Sequence, residues 1–196
     1  FKGSSIGGGD FDLAGDKDWR IDGRHAYDYV GSQLGGGDLN DDGYDDLFVG
    51  AYGDDHPDAK TGSVFVFLGS PDDPATIRTA QFDKDIHLFG NEMDAVVGSR
   101  NPAEVGDVNG DGASDMVLSS PGTETVHVFY TATSLEGGTH NVNTADVNIA
   151  GTAEAAYFGN SIALGDLDDD GFDDLIVGAP DEESPGSDEA DTPGHA

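Results

Sequence analysis

The 196-residue chain contains no cysteine, so neither a disulfide framework nor thiol chemistry is open to it. Basic residues are nearly as scarce: 8 Lys and Arg stand against 40 Asp and Glu, a formal charge of −32. That sign leaves no basic face for phosphates, so no nucleic acid partner is expected. No apolar run approaches the roughly 18 residues of a spanning helix, and no membrane insertion by this segment is expected. The start lacks a basic stretch followed by an apolar one, so no signal peptide is read there. Sustained 3.6-residue periodicity is missing too, which argues against helices. There is no H-E-x-x-H, no G-x-S-x-G, no P-loop and no cysteine nucleophile. No catalytic or cofactor-binding residue is assigned, and the segment is read as non-enzymatic.

What the chain does have is glycine, 30 residues of it, and 36% hydrophobic residues, which together exclude a disordered acidic tail. One acidic pattern occurs three times: Asp38-Leu39-Asn40-Asp41-Asp42-Gly43-Tyr44-Asp45-Asp46, Asp107-Val108-Asn109-Gly110-Asp111-Gly112-Ala113-Ser114-Asp115 and Asp166-Leu167-Asp168-Asp169-Asp170-Gly171-Phe172-Asp173-Asp174. Each reads D-x-[DN]-x-D-G-x-x-D and runs into an apolar segment. Side-chain oxygens at positions 1, 3 and 5 can converge on one hard cation, and glycine at position 6 lets the backbone turn sharply. An EF-hand closes its shell with Glu at position 12 between helices. Here the closing carboxylate stands at position 9 and strand-like residues follow. Three Ca²⁺ loops within β-hairpins are therefore expected. Their side-chain ligands are Asp38, Asn40, Asp42 and Asp46, then Asp107, Asn109, Asp111 and Asp115, then Asp166, Asp168, Asp170 and Asp174. Three such ions leave a charge of about −26, so metal binding alone does not account for the acidity. An acidic surface of this kind suits a halophilic source or an acidic extracellular protein. The stretch Asp10 to Asp18 imitates the loop, but Ala14 stands where position 5 needs an oxygen, and no metal is expected there.

The repetition extends beyond the loops. Asp18-Trp19-Arg20-Ile21-Asp22-Gly23 aligns with Asp85-Ile86-His87-Leu88-Phe89-Gly90 and with Asp146-Val147-Asn148-Ile149-Ala150-Gly151. Eight residues after each terminal glycine comes another, at Gly31, Gly98 and Gly159. Short strands, the acidic loop and then Leu47-Phe48-Val49-Gly50-Ala51, Met116-Val117-Leu118-Ser119-Ser120-Pro121 or Leu175-Ile176-Val177-Gly178-Ala179-Pro180 follow. Two copies continue into Val64-Phe65-Val66-Phe67-Leu68-Gly69 and Val126-His127-Val128-Phe129-Tyr130. The first loop Asp recurs at spacings of 69 and 59 residues. Four short Gly-bounded β segments repeated at about this length are the pattern of a propeller blade. The six histidines, His25, His56, His87, His127, His140 and His195, are scattered. His87 and His127 lie inside strands and are read as blade-surface residues. Trp19 is read as a packed outer-strand residue.

Phe158-Gly159, the acidic loops and Gly178-Ala179-Pro180 together resemble the FG-GAP repeat of the integrin α-chain β-propeller. Val30-Gly31, Val97-Gly98, Gly50-Ala51-Tyr52 and Ser119-Ser120-Pro121 are variants of the same elements. The middle copy carries two extra residues between Gly98 and Asp107, which leaves its inner strand the least regular. The resemblance implies that the backbone carbonyl of position 7, at Tyr44, Ala113 and Phe172, joins each Ca²⁺ shell. It also implies that Asp41, Asp45, Asp169 and Asp173, at positions 4 and 8, point to solvent.

The expected fold is all-β: about three four-stranded FG-GAP blades of a larger, about seven-bladed propeller. Residues 1–17 end a preceding blade and add a linker. Blades occupy 18–84, 85–145 and 146–196, the last without its final strand and with an acidic flexible tail from Asp181. The resemblance places a protein or glycan ligand, or neighbouring subunits of a surface assembly, on the face opposite the calcium loops. That face comprises 24–29, 52–61, 91–96, 122–125, 152–157 and 181–196. The implied role is a calcium-stabilised extracellular or cell-surface module for binding, adhesion or structure. The second reading is an accessory propeller of a secreted phospholipase or polysaccharide lyase whose catalytic residues lie outside this segment.

Overall fold

The computed structural model describes residues 20–23, 25–55, 61–70, 77–90, 92–100, 103–131, 135, 137–152 and 155–182. The readings made of residues 1–17, of the Asp10–Asp18 imitation loop, and of Trp19, His56 and His195 fall outside them. Among the described residues the protein is all-β apart from one helical turn, Ala80–Asp83, and two short 3₁₀ turns.

Two sheets have the layout of blades. In the first, β2 (Leu34–Gly37), β3 (Asp46–Ala51), β4 (Ser63–Phe67) and β6 (Ile86–Phe89) pair antiparallel in that order. In the second the order is β7 (Glu104–Gly106), β8 (Asp115–Ser120), β9 (Thr125–Phe129) and β11 (Val147–Ala150). A third unit starts with the antiparallel pair β13 (Ser161–Gly165) and β14 (Asp174–Gly178). The innermost strands β2, β7 and β13 touch one after the other, so the three units stand side by side around a common edge.

Period-two alternation gives each sheet two apolar faces, and stacking buries both. In β8, Met116 and Leu118 join the core shared with the first blade, together with Phe48, Val64, Val66 and Leu88. Val117, one residue out of phase, faces the other way, into the cluster of Val126, Val128 and Ile162 with Leu164, Leu175 and Val177. On the far side of the first blade, Val49, Ala51, Phe65 and Phe67 form a separate layer, against which Ile21 and Val30 pack.

The structure departs from the sequence reading in several places. Strand β6 lies within residues 85–145 by sequence repeat, yet it hydrogen-bonds to β4, so it completes the sheet of the preceding unit. Likewise β11 completes the sheet of β7 to β9. Sequence repeat and sheet are thus offset by one strand. The corresponding first strand, β1 (Arg20–Asp22), pairs in parallel with β5 (Ile77–Thr79), an element that no periodicity announced. A further unexpected strand, β10 (Gly138–Asn141), runs parallel to β6 and covers the outer edge of the first blade, which limits edge-to-edge association. At the head of the expected flexible tail, β15 (Asp181–Glu182) pairs with β12 (Ala155–Ala156).

His87 and His127 are not surface residues but are buried, 4% and 1% exposed. The Asn148 side-chain amide donates to the carbonyls of Ala145 and Asn143, which turns its Oδ1 toward His127 Nδ1 at 2.6 Å. Nδ1 therefore carries the proton, and Nε2 accepts from the Ser120 hydroxyl at 2.8 Å. Burial lowers the His127 pKa, against a smaller upward pull from Asn148.

The recurring glycines have a backbone reason. Gly31, Gly98 and Gly159 adopt φ of 84°, 73° and 82°. At Gly98 a Cβ would also stand 2.5 Å from the Ser63 carbonyl oxygen and 3.0 Å from Gly50 Cα, whereas at Gly31 it would meet nothing. The Gly98 turn is thus where the backbone leading into the second blade presses on the first.

Gly31→Ala is expected to cost about 1–2 kcal/mol for its left-handed backbone alone. Gly98→Ala should cost ~1–3 kcal/mol more, because rigid backbone must move as well. Denaturant unfolding of the two variants measures the difference. For His127, the folded-state pKa lies below the unfolded value, so its contribution is lost as pH falls through the ordinary histidine range. The gap in unfolding free energy between the unmodified chain and His127→Gln should therefore narrow from pH 7 to pH 5.

Candidate metal centres

The loops joining β2 to β3, β7 to β8 and β13 to β14 carry the three acidic patterns, all at the same end of their strands. Their backbones follow one course. Position 6 is left-handed at Gly43, Gly112 and Gly171, with φ of 89°, 87° and 91°. Position 4 is left-handed too, at Asp41, Gly110 and Asp169, with φ of 55°, 76° and 61°. Asp tolerates that region better than most residues with a Cβ.

The carboxylates organise these turns. Asp38 accepts from the amides of Asp42 and Gly43 at 3.0 and 2.8 Å. Asp107 and Asp166 do the same for Asp111 and Gly112, and for Asp170 and Gly171. Position 3 accepts from the amide of position 5 at Asn40, Asn109 and Asp168. Position 5 accepts from the amide of position 7, linking Asp42 to Tyr44, Asp111 to Ala113 and Asp170 to Phe172. The position-9 carboxylate reaches back to position 2, from Asp46 to Leu39, Asp115 to Val108 and Asp174 to Leu167. Asp46 also accepts from the Gly69 amide at 2.7 Å, tying the first loop to the end of β4.

The three loops thus share one pattern of hydrogen bonds to their predicted side-chain ligands, but close convergence of three carboxylates is seen among the described residues only in the third loop, without Asp170. In the third loop, Asp166, Asp168 and Asp174 each offer an oxygen within 4.8 Å of the others. Burial pushes the Asp115 carboxyl up to about 6, hydrogen bonds donated by Val108 and Asn109 oppose this, and the charges of Asp111 and Asp107 add to it. Burial raises Asp46 in the same way, with Asp42 and Asp38 contributing. A dication bound among these oxygens relieves such crowding, and an all-oxygen donor set with a sharp glycine turn fits a hard ion. At position 7 the amides of Tyr44, Ala113 and Phe172 are bound by the position-5 carboxylates, and the carbonyl is the group the resemblance assigns to the ion.

Two of the residues expected to face solvent do something else. The Asp41 carboxylate crosses to the second loop, accepting from the Ser114 amide at 2.9 Å and from its hydroxyl at 2.8 Å. Asp173 crosses from the third loop, accepting from the Asp107 amide at 3.0 Å, while its own amide donates to the Asp107 carbonyl at 2.9 Å. Phe172 lies over Gly110 so closely that a Cβ there would fall 2.1 Å from its ring. Neighbouring loops are latched together, which local spacing could not show.

The opposite end of the strands is aromatic. Tyr29 and Tyr52 stack at 4.7 Å, Tyr27 meets Tyr29 edge-on, and Tyr27, Tyr29 and Tyr157 are exposed. A cavity of about 420 Å³ opens among Tyr52, Val96, Arg100, Pro121 and Tyr157.

Stacked four-stranded sheets with matching acidic hairpin loops at one end define a blade-built repeat protein of the propeller class. The FG-GAP repeat model matches residues 30–67 and 158–189. Integrin alpha-PS5 of Drosophila melanogaster is 36% identical over 101 residues, 47% of this chain and 9% of that protein. Integrin alpha-IIb of Mus musculus is 30% identical over 173 residues, 82% of this chain and 16% of that protein. Phosphatidylinositol-glycan-specific phospholipase D of Dictyostelium discoideum is 27% identical over 179 residues, 82% of this chain and 19% of that protein. The chain carries FG-GAP repeats and is similar to integrin α chains over most of its length. It spans less than a fifth of each of these relatives.

Asp41→Ala removes two hydrogen bonds between exposed loops and should lower stability by about 0.5–1 kcal/mol. The double-mutant cycle with Ser114→Ala should recover most of that loss as coupling, measured by denaturant unfolding.

Proposed function

We propose that the chain is a calcium-stabilised, non-catalytic module of an extracellular or cell-surface protein that presents its aromatic loop face to a protein or glycan partner. The observation that carries this reading is the threefold recurrence of the acidic pattern with a shared set of hydrogen bonds, at one end of strands whose other end is free to vary. Side chains at positions 1, 3, 5 and 9 and the carbonyls of Tyr44, Ala113 and Phe172 hold one Ca²⁺ per loop. Each ion replaces carboxylate repulsion by ligation and fixes the hairpin at the inner edge of its blade. Integrin α relatives support the binding role, because the match to them spans most of this chain. The excess negative charge favours partners with neutral or basic surfaces.

The similarity to phosphatidylinositol-glycan-specific phospholipase D supports a second reading, an accessory propeller beside a catalytic domain. Hydrolysis of a glycosylphosphatidylinositol substrate by this chain alone would overturn the non-catalytic reading.

Ca²⁺ binding only to the folded state stabilises by about 2.7 kcal/mol per site at 100-fold excess over Kd. Chelation at fixed ionic strength should therefore lower the melting midpoint, and added Ca²⁺ should restore it. Calorimetric titration should find three ions in the unmodified chain and two in Asp111→Ala. An unchanged midpoint on chelation, or an unchanged stoichiometry in the variant, would count against calcium at these loops. Mg²⁺ should replace Ca²⁺ poorly, because it prefers six short bonds and retains water.

A further inference from the structure

We propose that His25, Asp28 and Asp55 form a site for a borderline transition-metal dication, with Zn²⁺ the best fit, at the end of the first blade opposite its acidic loop. These residues belong to none of the three repeated patterns, and no spacing in the sequence joins them. His25 and Asp28 precede β2, whereas Asp55 follows β3. Folding brings one ligand atom of each within 4.8 Å of the others.

The two loops are held in register independently of any ion. Gly53 donates its amide to the Asp28 carbonyl at 3.2 Å, and Gly31 donates to the Gly50 carbonyl at 2.9 Å. A Cβ at Gly53 would stand 2.1 Å from the Tyr27 carbonyl oxygen, so the approach of the loops depends on glycine there. The Tyr29–Tyr52 stack joins the same two segments.

Within this frame the Asp28 side chain is 6% exposed, and its Oδ2 accepts from the His25 amide at 3.0 Å. The same oxygen lies 3.6 Å from His25 Nδ1. Two ligands bound ~2.1 Å from a tetrahedral ion are separated by about 3.4 Å, so this pair is nearly in place. Asp55 needs only a small inward movement from an exposed loop. A buried carboxylate is costly without a compensating charge. Among the described residues no lysine or arginine forms an ion pair with Asp28. Asp55 stands close to it, and nearby lies Asp54, itself 1% exposed, which accepts from the Ser63 hydroxyl and has His87 Nε2 at 3.6 Å. A single imidazolium at His25 would leave Asp28 and Asp55 in mutual repulsion, whereas a dication serves both.

Donor chemistry separates this site from the acidic loops. One imidazole nitrogen with two carboxylates is a mixed set suited to Zn²⁺ and related ions, and oxygen-only loops suit Ca²⁺. Three protein ligands leave a coordination position open. His25 and Asp55 are exposed, so the site lies at the surface, on the loop face that also carries the exposed Tyr27 and Tyr29.

The test is calorimetric titration of Zn²⁺ into the full chain already saturated with Ca²⁺, with Co²⁺ absorption as a probe of the coordination sphere. One Zn²⁺ should bind beyond the calcium complement. His25→Ala and Asp55→Asn, both at exposed positions, should weaken it by at least the roughly 10–100-fold that even an outer-shell partner commands. Calcium stoichiometry and the melting midpoint in Ca²⁺ should stay unchanged in both variants. Absence of a Zn²⁺ isotherm in the unmodified chain, or undiminished binding in His25→Ala, would overturn the proposal.

Discussion

The first blade, the second blade and the third hairpin all depend on turning a chain sharply among crowded carboxylates. The nine residues hold five, three and six carboxylates in the three copies, whose repulsion opposes the turn. Two devices counter it in every copy. Left-handed positions 4 and 6 aim consecutive backbone amides inward, and the carboxylates accept from them. The turn is therefore prefolded around a cluster of negative oxygen, an arrangement suited to a hard dication. A helix dipole or a basic side chain could have done part of this, but the described residues hold almost no helix and the chain has only 8 Lys and Arg.

From these turns the inner strands start in register, and packing follows. Because β3, β4, β8 and β9 are buried on both sides, alternate residues serve different neighbours, as Met116 and Val117 do. Each sheet is a partition between two cores rather than the wall of one. Stability is thus shared between units, and the offset between sequence repeat and sheet adds to this. Strand β6 begins one repeat and closes the sheet of the previous one, so successive units are tied covalently as well as by burial. Asp41, Asp173 and Phe172 extend the tie to the loop surface. Residues expected to be solvated are instead the contacts by which one turn senses the next.

The opposite end of the strands obeys a different constraint. There the loops vary in length and sequence, and they are held by backbone hydrogen bonds such as Gly53 to Asp28 and Gly122 to Ala95, by close glycine contacts and by aromatic stacking. That freedom allows chemistry unlike the acidic turns, including a buried aspartate beside an imidazole and a cluster of exposed tyrosines. Arg100 is among the few cations near this surface, at the cavity between the first two blades.

Much of this was legible in the sequence, for a physical reason. A calcium-type loop takes its side chains from one short segment, so spacing reveals it, and β alternation reveals strands buried on both faces. Gly31, Gly98 and Gly159 announced themselves by recurrence, since a left-handed backbone admits few other residues. The sequence by itself determined the strand-rich class, the repeat and the candidate ligands of the acidic loops. Only the tertiary structure decided that Asp41 and Asp173 bridge neighbouring loops, that His87 and His127 are buried, that β10 covers an edge, and that His25 meets Asp55. Each of these joins residues far apart in the chain, where no period or spacing connects them and only the stacking of sheets sets the distance.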